Sequence, residues 1–432
     1  MAVALVMGNM IGSGVFLLPA SLAPYGGISL VGWLVSTAGS VLLALVFARL
    51  SRLHPAAGGP YAYTRQAFGN LAGFLVAWGY WISIWCTNAA LSVAFVGYLD
   101  PFVPSVVRDP LKAAALAIAT LWLLTAVNVR GVRTAGRVQV VTTALKILPL
   151  AVVGVAGLVF LEPSHFAIAE TGGRAIARGV TATATLTLWA FLGLECATIP
   201  AGSIRDPERT IPRATVTGTL LAGILYVVST VGVLGLLAPA ELGRTSAPFA
   251  EAARTFAGDR AAAAVALGAA VSCFGALNGW ILIVGQLPMA VAQDGLFPRV
   301  FGRLSARGTP VVGMMVAGVL STALVAMNYS RNLVDLFTFI ILLATLSTLV
   351  PYAFCAMAGF MRRGPRMTAG ASVIAALAFA YALWAIGGAG AEVVYWGFLL
   401  LMAGLPVYAW VISKAMDEHG AQRERATRSA GL

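Results

Sequence analysis

The chain has 432 residues, of which 59% are hydrophobic and 10% are charged, and its formal net charge is +12. Soluble domains carry about 25% charged residues, so this composition excludes a soluble protein and indicates a polytopic membrane protein. In such a protein a positive charge is typical of basic loops beside the spans, and it gives no support for a nucleic-acid partner. The sequence has no His/Cys spacing typical of a metal site, and we expect no cofactor.

Apolar stretches long enough to cross a bilayer recur along the whole chain. A span needs about 20 residues, and twelve stretches approach or exceed this length. In chain order they lie at about 1–22, 28–50, 70–99, 111–128, 139–161, 179–200, 213–238, 262–293, 310–327, 333–361, 368–387 and 391–413. They predict an all-α membrane protein with a single transmembrane domain over 1–415. A short charged tail at 416–432 is expected to be disordered.

The loops differ in charge. Most of the 28 lysines and arginines fall in alternate loops on the same side of the membrane as both chain ends. Since basic loops stay in the cytoplasm, this pattern predicts a multi-pass protein of the bacterial inner membrane with both termini cytoplasmic.

Two of the spans contain glycines that interrupt a helix. The first span, MGNMIGSGVFLLPA, holds Gly12-Ser13-Gly14, and a glycine costs a helix about 1 kcal/mol relative to alanine. Five spans later, TLTLWAFLGLECATIPAG holds Gly193. Paired interruptions are typical of transporters built from inverted repeats. The alternative is that small residues merely permit close helix packing.

This spacing predicts a five-plus-five arrangement with discontinuous first and sixth helices. The repeats would cover about 1–161 and 179–361, with extra helices at about 368–413. A half-helix that begins near Ser13 and Gly14 would expose free N–H groups and a positive dipole end, which can bind the carboxylate of a small substrate.

Two side chains of the sixth span are candidates for a site. Glu195 is an acid deep in an apolar span, where burial costs a few kcal/mol unless it meets a cavity or a partner. It is expected to respond to protons or to balance a cationic substrate, and the alternative is a structural carboxylate. Trp189 lies at mid-span and offers an aromatic face to a cation. Ordinary packing is the alternative for Trp189.

Long motifs resemble the amino acid–polyamine–organocation superfamily. They are MGNMIGSGVFLLPA, GGPYAYTRQAFG, YWISIWCTNAA, LWAFLGLECATIPAGSIRDPERTIPRAT and NGWILIVGQLPMAVAQDGLFPRVF. Within it, the sequence is most similar to basic amino acid/polyamine antiporters. The resemblance implies a LeuT-like fold, a possible homodimer, and exchange of arginine for agmatine or of a related pair.

The resemblance also implies roles for single residues. Glu195 would lie beneath the substrate, with gates formed by Trp189, Trp280 and Tyr352. Tyr80 would lie near the site and Tyr61 would take part in acid sensing. A further match is Asn88, which would contact the polar head of the substrate or, alternatively, form an interhelical hydrogen bond.

Several substrate-side positions differ from those of the arginine/agmatine antiporters. The differing residues are Met10, Ser83, Ile84, Leu91 and Ala344, which replace isoleucine, alanine, cysteine, methionine and serine. The backbone clamp is therefore expected to be retained while the selectivity for the substrate side chain is altered.

Lys146 lies inside the fifth span, where the arginine/agmatine antiporters lack a lysine. A similar lysine in other superfamily members resembles a substitute for a sodium ion. We expect the Lys146 ammonium to meet carbonyls of the interrupted first span and polar groups such as Ser272.

The sequence therefore predicts a secondary transporter that works by alternating access. One alternative is a sodium-independent, proton-linked or exchanging carrier of neutral amino acids, which Lys146 favours. Another is a channel, which the aromatic obstructions disfavour. An enzyme is disfavoured because no nucleophile–base pair or metal cluster appears and the three histidines, His54, His165 and His419, all lie in loops or the tail.

Overall fold

The computed structural model describes residues 2–12, 14–53, 59–130, 135–168, 172–198, 204, 206–360 and 368–430. All regular structure in these ranges is helical. The helices are α1 Ala2–Met10, α2 Gly14–Leu22, α3 Ile28–Leu53, α4 Gly59–Phe68, α5 Asn70–Gly97, α6 Pro104–Val107, α7 Pro110–Val129, α8 Ala135–Val159, α9 Gly173–Leu188, α10 Pro207–Leu236, α11 Pro239–Leu242, α12 Pro248–Gln293, α13 Val311–Met327, α14 Leu333–Ala358, α15 Ala369–Gly388, α16 Ala391–Met402 and α17 Gly404–Ala430. The all-α prediction is confirmed.

Nine helical stretches in the described part of the chain are long and apolar enough to cross a membrane. Three shorter apolar helices, at Gly14–Tyr25, Lys146–Val159 and Val311–Met327, occupy the predicted first, fifth and ninth spans. Together they account for the twelve predicted spans.

The first span is interrupted where the glycines predict. Helix α1 ends at Met10, and α2 begins at Gly14. Between them Ile11 and Gly12 lie outside helical structure, and Ser13 lies outside the described residues.

The sixth span is interrupted as well. After α9 the chain forms a single 3-10 turn at Trp189–Phe191, and a second turn follows at Cys196–Thr198. Gly193 lies between them with φ of +102°, a conformation that favours glycine. A Cβ atom on Gly193 would lie 3.5 Å from Cβ of Asn9 in α1, so the two interruptions adjoin each other. The division into repeats at 1–161 and 179–361 stays a prediction, as does the single domain over 1–415.

Two boundaries differ from the predicted ones. Helix α12 begins at Pro248 rather than near residue 262, because it continues through a kink at Gly258, whose φ is +75°. The C-terminal tail is not disordered, since α17 continues to Ala430. Its sequence is rich in alanine, glutamate, glutamine and arginine, which favour helix even without apolar periodicity.

Helix α5 forms the centre of the bundle. It is almost entirely buried, and it packs against α14, α12, α4 and α7. Helices α15 to α17 lie outside and leave most of their surface exposed. Helices α5, α12 and α14 each contact α2, the second half of the interrupted first span, and α14 also contacts the turn at Trp189–Phe191.

Candidate functional site

Glu195 lies at the interruption of the sixth span with no exposed surface. Its two carboxylate oxygens accept hydrogen bonds from the hydroxyl groups of Tyr80 in α5 and Tyr352 in α14. A buried carboxylate is tolerated when such donors replace its lost water. The three residues predicted near one another are thus in direct contact, and they join the third, sixth and tenth spans.

Trp189 covers the interruption of the first span. A Cβ atom on Gly14 would lie 2.3 Å from the indole ring of Trp189, so only glycine fits beneath it. The ring of Phe337 in α14 meets the indole edge-on, with the centroids 5.3 Å apart and an angle of 89°. The indole nitrogen is buried and has no hydrogen-bond partner among the described residues. The predicted contact between the two interrupted spans therefore exists.

Of the five positions that differ from the arginine/agmatine antiporters, Met10 and Leu91 adjoin the first interruption, whereas Ser83 and Ala344 both contact Thr348 of α14. The hydroxyl of Thr348 bonds to Ser83, and it also lies 3.1 Å from the carbonyl oxygen of Ala344. Leu91 lies beside the first interruption, since a Cβ atom on Gly12 would be 3.7 Å from its side chain. Met10 is the last residue of α1, directly before the interruption, and is 3% exposed.

The remaining candidates are buried in the same helices. Ile84 and Asn88 are both buried in α5, and the side-chain oxygen of Asn88 has no hydrogen-bond partner among the described residues. Trp280 is buried in α12, two residues after Asn278, which accepts a hydrogen bond of 2.7 Å from Asn128 in α7. An unsatisfied buried acceptor is unusual and is consistent with a place for a substrate donor.

Lys146 meets the first span but not Ser272. The side chain is fully buried, and its Nζ atom donates to the carbonyl oxygen of Gly8 at 3.4 Å. Gly8 belongs to the last turn of α1, where carbonyl groups lack partners within the helix. The expectation for Ser272 is wrong, because its hydroxyl is buried with no hydrogen-bond partner in the described part of the chain.

Tyr61 lies apart from Glu195, in a cluster that links α4 to the end of α12. Its hydroxyl donates to Asp294 at 2.7 Å, and the guanidinium of Arg65 contacts the same carboxylate oxygen at 2.7 Å. Arg65 also donates to Asn70, the first residue of α5, at 3.0 Å. Burial and then the bond to Asp294 raise the pKa of Tyr61. We call Tyr61, Arg65 and Asp294 the α4–α12 clasp.

A cavity of about 780 Å³ opens at the other end of α5. Its charged lining residues are Asp100, Arg108, Glu241, Arg244, Glu251, Arg254 and Arg331. Helix α5 thus runs from the clasp, past Tyr80, to this cavity. At the clasp one ion pair, Arg65–Asp294, joins α4 to the end of α12, whereas the other end of α5 borders the cavity.

Sequence reasoning missed several members of these clusters. It did not single out Asn9, Phe337 or Thr348, since their partners are distant in the chain. Arg65 and Asp294 were missed although both lie in the quoted motifs. The available signal was twofold: Asp294 directly follows a long apolar span, and Arg65 lies in the loop before another span.

Comparison with known proteins identifies the family. Residues 1–386 match the amino acid permease family. The chain belongs to this family. It is therefore a transport protein and not an enzyme.

Curated relatives match over nearly the full length. The chain is 34% identical to a cadaverine/lysine antiporter of Escherichia coli strain K12, with 96% of each chain covered. It is 34% identical to a putative arginine/ornithine antiporter of Bacillus subtilis strain 168, with 97% of each covered. It is 30% identical to the putrescine transporter PotE of Escherichia coli strain K12, with 96% of each covered.

Proposed function

We propose that this permease is an antiporter that exchanges a basic amino acid for an amine or for a second basic amino acid. The observation that carries the proposal is Glu195, a fully buried acid at the interruption of the sixth span, held by Tyr80 of the third span and Tyr352 of the tenth. A negative group at this depth stabilises a cationic substrate. The relatives are named for lysine, cadaverine, arginine, ornithine and putrescine, which are all cationic.

The interrupted helices supply the clamp for the polar head of the substrate. Free N–H groups near Ser13 and Gly14 would bind the α-carboxylate, and carbonyl groups around Gly193 would accept from the α-amino group. Asn88 would use its unpaired oxygen for the same head group. An amine without a carboxylate would lose the first contact, and Glu195 would then be its main attraction.

The pocket for the substrate side chain would be set by Met10, Ser83, Ile84, Leu91 and Ala344. The hydroxyl groups of Ser83 and Thr348 are hydrogen-bonded to each other, and Thr348 also contacts the carbonyl oxygen of Ala344. This part of the pocket is therefore more polar than it would be with alanine at position 83. Arginine with agmatine is one pair of this class. Lysine with cadaverine and ornithine with putrescine are others, related in each case by loss of the carboxylate.

Transport would proceed by alternating access between two gates. On one side Trp189 covers Gly14 and packs against Phe337, whose neighbour Leu336 lines the 780 Å³ cavity. On the other side Glu195, Tyr80, Tyr352 and Trp280 would separate the substrate from the α4–α12 clasp. With both termini in the cytoplasm of a bacterial inner membrane, the clasp is cytoplasmic and this conformation faces outward. The chain would function as a monomer or within a homodimer.

A competition experiment tests the substrate class. Purified protein in liposomes is loaded with unlabelled arginine, and uptake of labelled arginine is measured against excess agmatine, lysine, cadaverine, ornithine, putrescine, alanine or serine. We expect cationic compounds to inhibit and alanine and serine to have no effect. Inhibition by alanine with none by the cationic compounds would reject the proposal.

Lys146 supports a second candidate, a sodium-independent exchanger of neutral amino acids. Its buried ammonium bonds to the Gly8 carbonyl beside the first interruption. A fixed positive charge there can replace a bound cation in stabilising the unwound backbone. The same competition experiment separates the two candidates, since alanine or serine would then be the effective inhibitor.

A further inference from the structure

A cleft of about 240 Å³ lies between α3 and α15, away from the substrate route. Its walls include Leu45 and Val46 of α3, and Ile374 and Ala375 of α15. Arg49 and Arg52, which follow Leu45 and Val46 along α3, also line the cleft. The cleft therefore combines an apolar floor with a basic rim.

The two arginines carry uncompensated charge. They lie three residues apart on α3, so their side chains share one face of the helix. Neither forms an ion pair with any residue that the structure describes. The adjoining loop segments 54–58 and 361–367 contain no aspartate or glutamate. An anion from outside the chain is therefore the natural partner.

The start of α15 adds to the positive field. This 20-residue helix begins at Ala369, and its first turn forms part of the cleft through Ala371. The hydroxyl of Thr368 caps only the N–H group of Ala371, at 3.3 Å. The positive end of the helix dipole thus points toward the same region as the arginines.

We propose that this cleft binds the headgroup of an anionic phospholipid from the leaflet that surrounds this end of α3. Guanidinium groups pair with phosphate oxygens through two parallel hydrogen bonds, which suits Arg49 and Arg52. An acyl chain would lie along Leu45 and Ile374. Basic pockets between spanning helices on the cytoplasmic side are suited to such headgroups. A free phosphate ion would contact Arg49 and Arg52 but would leave the apolar part of the cleft unoccupied.

The test measures retained lipid on the whole purified protein. Protein is delipidated and returned to mixed micelles with phosphatidylglycerol, with phosphatidylcholine, or with phosphatidylcholine plus inorganic phosphate, and bound molecules are counted by native mass spectrometry. We expect saturable binding of phosphatidylglycerol alone. The double variant Arg49→Gln/Arg52→Gln should weaken it by at least about tenfold.

A matched control and a steric variant make the test specific. Arg174→Gln/Arg178→Gln removes the same charge from two exposed arginines of α9 and should leave binding unchanged. Ala371→Phe keeps both arginines, fills the cleft and should abolish binding, with folding checked by thermal unfolding. Equal loss in the α9 variant, unaltered binding in Ala371→Phe, or binding of inorganic phosphate in the phosphatidylcholine micelles would overturn the proposal.

Discussion

The hydroxyl of Tyr352 donates a hydrogen bond to one carboxylate oxygen of Glu195, and Tyr80 donates to the other. These two bonds join the interrupted sixth span to the third and tenth spans. Because Glu195 belongs to an irregular turn while both tyrosines belong to long helices, movement of the turn must stretch or break the bonds. A carboxylate in this position links substrate charge to the arrangement of the helices.

Replacing Glu195 by glutamine should lower exchange of basic substrates at least tenfold. Hydrogen bonds to a charged group contribute about 1.5–3 kcal/mol, and the substitution weakens two of them and removes the charge. The variant should also lose the wild-type dependence of exchange on pH between about 5 and 8. Measurement of initial exchange rates across this range checks both points. The matched control is Glu162→Gln, an exposed acid outside the site. An unchanged rate and pH profile in Glu195→Gln would remove this residue from the mechanism.

Gly14→Ala should strongly impair transport and lower the thermal stability, whereas Gly12→Ala should be tolerated. A Cβ atom at position 14 overlaps the Trp189 ring at 2.3 Å, but one at position 12 finds ordinary contact with Leu91 at 3.7 Å. Overpacking of this kind costs about 1–3 kcal/mol. Thermal unfolding and exchange rates of both variants provide the comparison. Similar behaviour of the two would show that Trp189 does not lie tightly over the first interruption.

Lys146→Ala should reduce turnover or make transport depend on an added cation. The substitution removes the ammonium that bonds to the Gly8 carbonyl at 3.4 Å and leaves that acceptor buried. Exchange in sodium, potassium and choline buffers measures the effect. Wild-type rates in all three buffers would show that the lysine has no role in transport.

Tyr61→Phe should change the rate of exchange but not the midpoint of its acid dependence. Burial and the hydrogen bond to Asp294 raise the pKa of Tyr61 above its ordinary value of 10, so the hydroxyl remains protonated at every physiological pH. Its contribution to stability is therefore complete below about pH 10 and is lost only as the pH rises toward the shifted pKa. The test compares the initial exchange rates of Tyr61→Phe and of the wild type at each pH from 5 to 8. A displaced midpoint would mean that the α4–α12 clasp itself senses acid.

Asp294→Asn should loosen the clasp and favour the conformation open on that side. The substitution removes the ion pair with Arg65, whose atoms are 2.7 Å apart, and weakens the acceptor for Tyr61. Labelling of Cys355, which is buried against Pro60 and Thr64 of α4, reports opening when a membrane-impermeant thiol reagent is added to inverted vesicles. The control is the same cysteine with Asp294 intact, and equal labelling of both would contradict a gating role.

The interruptions could be predicted from the sequence because glycine carries its own local signal. Gly12, Gly14 and Gly193 mark positions where a helix is costly, whatever surrounds them. The partners of Glu195 could be proposed only through resemblance, since Tyr80 and Tyr352 lie 115 and 157 residues away in the chain. Local pattern carries no information on such distant pairs.

The errors have related causes. Ser272, a polar group of the eighth span, is expected to bond to Lys146, but the ammonium donates to the carbonyl oxygen of Gly8 instead. The ion pair between Arg65 and Asp294 was missed because each residue, taken alone, resembles an ordinary charged residue of a loop. The short charged tail at 416–432 is expected to be disordered, whereas α17 continues to Ala430 because most of its residues favour helix.

Trans-stimulation of uptake tests obligatory exchange of basic substrates most directly. Proteoliposomes are prepared empty, loaded with alanine, or loaded with agmatine, cadaverine or putrescine, and uptake of labelled arginine or lysine is followed. The account predicts rapid uptake only into vesicles that contain a cationic amine, with one amine leaving for each amino acid that enters. Equal uptake into empty vesicles, or stimulation by alanine alone, would contradict it.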